Sequence, residues 1–164
     1  MRGGGDCVKE GDRRTMAVIS NLKQLYETDE VQWLAETIEL LKQRQFEELD
    51  LDHLIEELEE LGSEKKNVVE SLLDQVIRHL LLLEYWQEER DDNATHWQYE
   101  IYNFRLQLQR RQTRTLYHYL GDRLEAIYRS ALRAVQIKTN QKVNFPERCP
   151  YSLDELLDID WLPE

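Results

Sequence analysis

Between residues 12 and 145 the chain contains two glycines, Gly62 and Gly121, and no proline. Glycine and proline punctuate regular structure, so a stretch this poor in them has few places to turn. Leu, Glu, Gln and Arg are abundant in it, and these residues give up little side-chain freedom in a helix. No alternation of period two persists anywhere along it. The stretch is therefore predicted to form long helices and no sheet.

Apolar spacing locates the helices. Val31, Leu34, Ile38 and Leu41 step by three and four residues and share one face. Asp29 and Glu30 precede them, acids suited to the positive end of a helix macrodipole. Leu51, Leu54, Leu58 and Leu61 form a second stripe, ending at Gly62-Ser63, where a turn or a kink is expected. A third stripe runs through Val69, Leu72, Leu73, Val76, Leu80 and Leu83. The polar run "EERDDNAT" is expected to turn the chain, with Asn93 capping the next helix. That helix carries Trp97, Ile101, Phe104 and Leu108 on one side. A second loop is expected within Thr113–Gly121, followed by a stripe of Leu124, Ile127, Ala131 and either Ala134 or Val135. The heptad-like stripes at 31–41 and 51–61 fit helices that bury these faces at shallow crossing angles.

All three prolines fall after residue 145, so the tail "NFPERCPYSLDELLDIDWLPE" cannot be one helix. Ser152 and Glu155 have capping-box spacing, which predicts a short helix from Leu153 to Leu157. Phe145, Tyr151, Leu156 and Trp161 are positioned to pin this tail to the body. The predicted fold is all-α: an antiparallel helical bundle of about four main helices with a short C-terminal helix or strap. A length of 164 residues suits one domain, taken as 26–164. Residues 1–25 are expected to be a disordered leader, because the Gly-rich, charged start offers nothing to bury. Met16 is a candidate start residue.

Composition and charge narrow the function. No run approaches the roughly 20 apolar residues of a membrane span. Cys7 and Cys149 form no disulfide framework, which favours a reduced, cytoplasmic setting. The net charge of −12 works against indiscriminate nucleic-acid binding. The charge is unevenly spread: residues 16–92 hold 21 acids and 7 bases, and residues 93–145 hold 3 acids and 9 bases. Packing of one half on the other explains this, as does a basic surface for an acidic partner.

The candidate site residues each have a structural and a chemical reading. His79 shares the third stripe, where an imidazole is either a hydrogen-bonded core residue or a ligand. Arg105 lies one turn after Ile101, so its charge needs a partner. A carboxylate of the Glu56–Glu60 cluster is the expected one, with Glu57 nearest the core boundary. His79, Arg105 and Glu57 are thus the candidate ligand-binding set. Arg110, Arg111 and Arg114 are the candidate phosphate contacts for nucleic acid. No metal site is predicted. Neither His79 nor His96 follows a Glu at the spacing that di-iron bundles use, and Asp92, His96 and Glu100 read as a solvated face. No cofactor is predicted either, since no phosphate loop or nucleophile elbow is present.

The stretches "LDLDHLIEELEELGSEKKNVVESLL", "RHLLLLEYW" and above all "FPERCPYSLDELLDIDWLP" resemble a bacterial family known only as domain of unknown function 29, numerous in cyanobacteria. The resemblance spans Tyr26 to Pro163. Its usual positions map onto Leu61-Gly62, His79-Leu80, Trp97, Arg105 and Cys149-Pro150-Tyr151. Relatives tend to carry proline where this chain has Glu88, which bears on where the core helix ends. The resemblance implies a small helical bundle and no particular activity. The function expected is a non-catalytic scaffold that binds another protein or itself, through surplus aromatics: Trp33, Trp86, Tyr99, Tyr102, Tyr117 and Tyr119.

Overall fold

The computed structural model describes residues 6–163, with side-chain surroundings from residue 10 onward. Among these residues the chain is helical and holds no strand. Its helices are α1 (Asp6–Thr28), α2 (Glu30–Gln43), α3 (Leu51–Tyr85), α4 (Gln87–Arg111), α5 (Arg114–Lys138) and α6 (Leu153–Leu157). A single 3-10 turn, Phe46–Glu48, joins α2 to α3. The chain divides at Gly62/Ser63 into two compact units.

The second unit has the larger core. Its twenty buried core residues come from the C-terminal part of α3, from α4 and α5, and from the strap that includes α6. The expected stripes supply this core: Val69, Leu73, Val76, Leu80 and Leu83 from α3; Trp97, Ile101 and Leu108 from α4; and Ile127, Ala131 and Val135 from α5. The strap is pinned by Phe145, Tyr151 and Leu156, all buried. Its capping box is present as expected: Ser152 Oγ accepts from the Glu155 N–H, and the Glu155 carboxylate accepts from the Ser152 N–H at 2.8 Å.

Two expected breaks fall elsewhere. "EERDDNAT" is helical: α3 and α4 part at one residue, Trp86, and Asn93 lies inside α4, donating to the Glu89 carbonyl. The run's polarity belongs to the wet side of the helix's first turns. Glu88 and Glu89 favour that position, because the macrodipole is positive there. Thr113 ends the next break and caps α5, its hydroxyl accepting from the Leu116 N–H.

The first unit departs furthest from expectation. Residues 6–25, assigned to a disordered leader, belong to α1, and Leu22 is buried. Among the described residues there are thus five long helices, where about four were expected, in the same all-α architecture. The register of α2 is also rotated: Trp33 and Thr37 are its buried residues, while Val31, Leu34, Ile38 and Leu41 stand exposed. Tyr26 explains the register, meeting Trp33 edge-on at 5.1 Å between centroids. On α3, Leu51, Ile55, Leu58 and Leu61 are exposed as well. The two faces expected to be core are therefore the wet ones. Among the described residues of this unit, the buried apolar ones are Leu22, Trp33 and Leu49. The Trp33 indole N–H, the Thr37 hydroxyl and Asp50 Oδ1 are enclosed without a hydrogen-bond partner among the described residues.

Gly62 produces no turn, since α3 runs unbroken from Leu51 to Tyr85. A Cβ added there would meet nothing within 4 Å. Gly62→Ala is therefore expected to raise stability by about 0.5–1 kcal/mol, by reducing the freedom of the unfolded chain. Urea unfolding reads the change, and a loss of stability would show that α3 does not continue through this position.

Candidate functional site

Arg105 is the most deeply buried charge in the second unit, at 1% exposure. Its partners are backbone carbonyls and not the expected carboxylate of the Glu56–Glu60 cluster. Nε donates to the Leu156 carbonyl at 2.9 Å, Nη2 to that of Glu155 at 2.8 Å, and Nη1 to that of Trp161. Residues 155 and 156 lie in the last turn of α6, whose carbonyls have no partner within the helix and carry partial negative charge. The planar guanidinium satisfies several acceptors at once, which an ammonium could not do in this geometry. It also lies over the Trp161 ring, 5.8 Å from the centroid. Burial pushes the guanidinium pKa down to about 10, with Asp158 opposing, so it stays charged at neutral pH. Arg105 clamps the strap.

His79 is half-buried on α3, with Nδ1 donating to the Gln75 carbonyl at 2.7 Å and the ring tilted against Phe104. Burial pushes its pKa below the ordinary value, more strongly than that hydrogen bond and Glu100 raise it. The folded chain thus binds this proton less readily than the unfolded chain. Stability should be complete above the ordinary histidine pKa, near 6.5, and should fall as pH drops through it. His79→Leu is expected to keep the fold and to flatten that acid-side fall, because an apolar residue of similar bulk replaces a polar one. Urea titrations at several pH values check this; a collapsed variant would show that the imidazole holds a larger network.

Glu57 accepts from the Tyr26 hydroxyl at 2.8 Å, and this contact holds the phenol well above its usual range. The same Tyr26 ring stacks on His53, 3.9 Å between centroids. Among the described residues no hydrogen bond or ion pair joins any two of His79, Arg105 and Glu57. Arg110 and Arg111 end α4 and Arg114 begins α5, all three exposed, forming a basic corner around the break at residues 112–113. Asp92 lies in α4 with His96 and Glu100, not in a turn. Among the described residues no three His, Cys, Asp or Glu side chains gather where a metal could be held. Burial pushes the Cys149 thiol up, and its Sγ donates to the Tyr151 carbonyl, an environment that disfavours the nucleophilic thiolate.

One concave feature was missed from the sequence. A cleft of about 450 Å³ in the second unit is lined by Glu70, Asp74 and Arg78 of α3 and by Arg123 and Ser130 of α5. The three α3 residues recur every fourth position beside the core stripe, and that spacing was the available signal. Most of the charges are already matched. Glu70 accepts from Tyr119 at 2.6 Å and from Arg123 at 2.9 Å, which outweighs the upward push of burial and holds its pKa low. Asp74 Oδ2 lies 2.6 Å from Arg78 Nε, and burial nevertheless pushes the Asp74 pKa up. Arg78 and the Ser130 hydroxyl oppose that rise, and Asp74 Oδ1 is enclosed. The cleft holds two acids and two guanidinium groups, and nothing in it forms an activated nucleophile with its base.

The expected aromatic patch is only partly present. Trp33 is fully buried, Trp86 stacks on Trp97 at 6.0 Å, and Tyr117 and Tyr119 are tied to Asp154 and Glu70. Tyr99 and Tyr102 stay exposed. The exposed apolar surface is chiefly aliphatic and lies on α2 and on the first part of α3.

No helix among the described residues is long and apolar enough to cross a membrane. A family model described as Domain of unknown function DUF29 matches residues 25–162. No curated protein and no solved structure matches the chain.

Proposed function

The chain belongs to the family of Domain of unknown function DUF29, and from that premise, which supplies no activity, we propose a non-catalytic protein-interaction module. The observation that carries this reading is the wet face of α2. Val31, Leu34, Ile38 and Leu41 repeat at heptad spacing, and their exposures run from 39% to 80%. A stripe of this kind on a surface helix normally faces a core or a partner helix. The first unit's own core cannot use it, because α2 already buries its Trp33–Thr37 side. Exposed apolar surface of this extent on a folded chain marks a contact site.

The alternative of an enzyme or ligand-binding centre at His79, Arg105 and Glu57 has weaker support. Arg105 donates to the strap and Glu57 accepts from Tyr26, so neither is free for a ligand. Nucleic-acid binding retains only the exposed corner of Arg110, Arg111 and Arg114. A reduced cytoplasmic location suits a chain whose Cys149 is a free thiol.

The double substitution Leu34→Gln with Ile38→Gln tests the interaction reading on the isolated chain. Residues that wait for a partner add little to the free fold, so stability should stay within about 0.5 kcal/mol of the parent. Urea unfolding gives the number. A loss above about 2 kcal/mol would place these side chains in the fold's own interior and end the proposal.

A further inference from the structure

We propose that the exposed faces of α2 and of the first part of α3 receive a basic amphipathic helix from another protein. The inference rests on the interaction reading above and names the partner's chemistry. Residues 29–62 contain twelve acids and two bases. Lys42 pairs with Glu39 at 2.8 Å, Lys23 of α1 with Asp52 at 3.2 Å, and His53 contacts Asp50, which still leaves most of the acids in this stretch without a cation beside them among the described residues. On α3 the apolar positions Leu51, Ile55 and Leu58 are bordered by Glu56, Glu59 and Glu60, all exposed and in no ion pair among the described residues. Val31, Leu34, Ile38 and Leu41 form one exposed apolar row on α2, and Leu51, Ile55, Leu58 and Leu61 a second on α3, each matching the three-four spacing of a partner helix.

Charge decides between the possible occupants. A second copy docked face to face would set these carboxylates against their own kind in a partly dried contact, which is unfavourable. A helix with leucines at three-four spacing and Lys or Arg on its flanks meets both demands. Its apolar stripe covers the exposed side chains, and its cations neutralise the acidic border. The long-range field of so many acids also attracts a basic partner before contact. The first unit has a further use for such a partner, because only three apolar residues are buried among its described residues.

The experiment uses the full chain and two labelled synthetic peptides of about three heptads, each with the same leucine stripe. One carries Lys and Arg on its flanks; the other carries Glu. Fluorescence anisotropy measures Kd, and sedimentation of the unliganded protein reports its oligomeric state. The basic peptide should bind at least tenfold more tightly than the acidic one. Raising salt from about 50 to about 500 mM should weaken it about tenfold, as rim charges are screened. Ile55→Gln with Leu58→Gln should weaken it at least tenfold while circular dichroism stays unchanged. Equal binding of both peptides would overturn the basic-helix assignment. So would binding that ignores the double substitution, since acid alone would then explain it. A free protein that is a dimer, and that the double substitution turns into a monomer, would make a second copy the occupant. That result overturns this inference and leaves the interaction reading standing; the reading falls separately, on the stability of the Leu34–Ile38 variant.

Discussion

Arg105→Ala is expected to destabilise the second unit by about 3–5 kcal/mol, the loss found when one partner of a buried charged network is removed. Three consequences combine. The carbonyls of Glu155, Leu156 and Trp161 lose their donor together. A buried acceptor left without a partner is penalised by its desolvation, about 1–3 kcal/mol each before relaxation. The Trp161 ring loses the cation above it, and a space the size of the guanidinium opens under the strap. Relaxation should be large because the strap is irregular on both sides of α6 and can lift away. Chemical denaturation would give the size of the loss, and limited proteolysis within residues 144–163 would locate it. Arg105→Lys separates charge from geometry: one ammonium cannot serve three separated carbonyls, so it should recover only part of the loss. A parent-like stability for Arg105→Ala, within about 1 kcal/mol, would mean that Leu156 and Tyr151 hold the strap without the clamp.

That clamp also marks how far the sequence could be read. The position of Arg105 one turn after Ile101 was enough to place a guanidinium in the core and to require a partner. The partner's identity was not legible, because a helix C-terminus supplies acceptors through its backbone and leaves no charged residue type to recognise. The core stripes of α3, α4 and α5 were legible for a related reason. Each buries one face against the others, and the three-four spacing records that face. The same spacing on α2 and at the start of α3 is identical in form, yet those faces are wet. Periodicity states that a face is apolar and is silent on whether the covering surface belongs to the same chain. The leader was misjudged because the glycines and charges of its first residues were extended over the whole segment, although Val18, Leu22 and Leu25 step by four and three residues like the stripes that follow. The polar cleft was hidden because Glu70, Asp74 and Arg78 look like an ordinary solvated line until α5 brings Arg123 and Ser130 opposite.

Trp97→Ala is the second large effect, and it probes the core rather than the strap. The indole is 2% exposed and stacks with Trp86 at an interplanar angle of 18°. Trp86 occupies the one-residue break between α3 and α4, so this stack ties the end of one helix to a position ten residues into the next. Truncating the ring removes a large apolar surface and leaves a cavity that long, regular helices cannot readily collapse. The expected loss is about 3–5 kcal/mol, typical for a buried aromatic cut to alanine. For a chain of this size that corresponds to a fall in Tm of roughly 10 °C. Trp97→Phe should lose markedly less, because a smaller ring still fills part of the space. Calorimetry on the three proteins orders them, and the far-ultraviolet spectrum at low temperature should show that the alanine variant still folds. If alanine and phenylalanine variants both melt with the parent, Trp97 is not packed as described, and the stack on Trp86 cannot be what holds the α3–α4 corner.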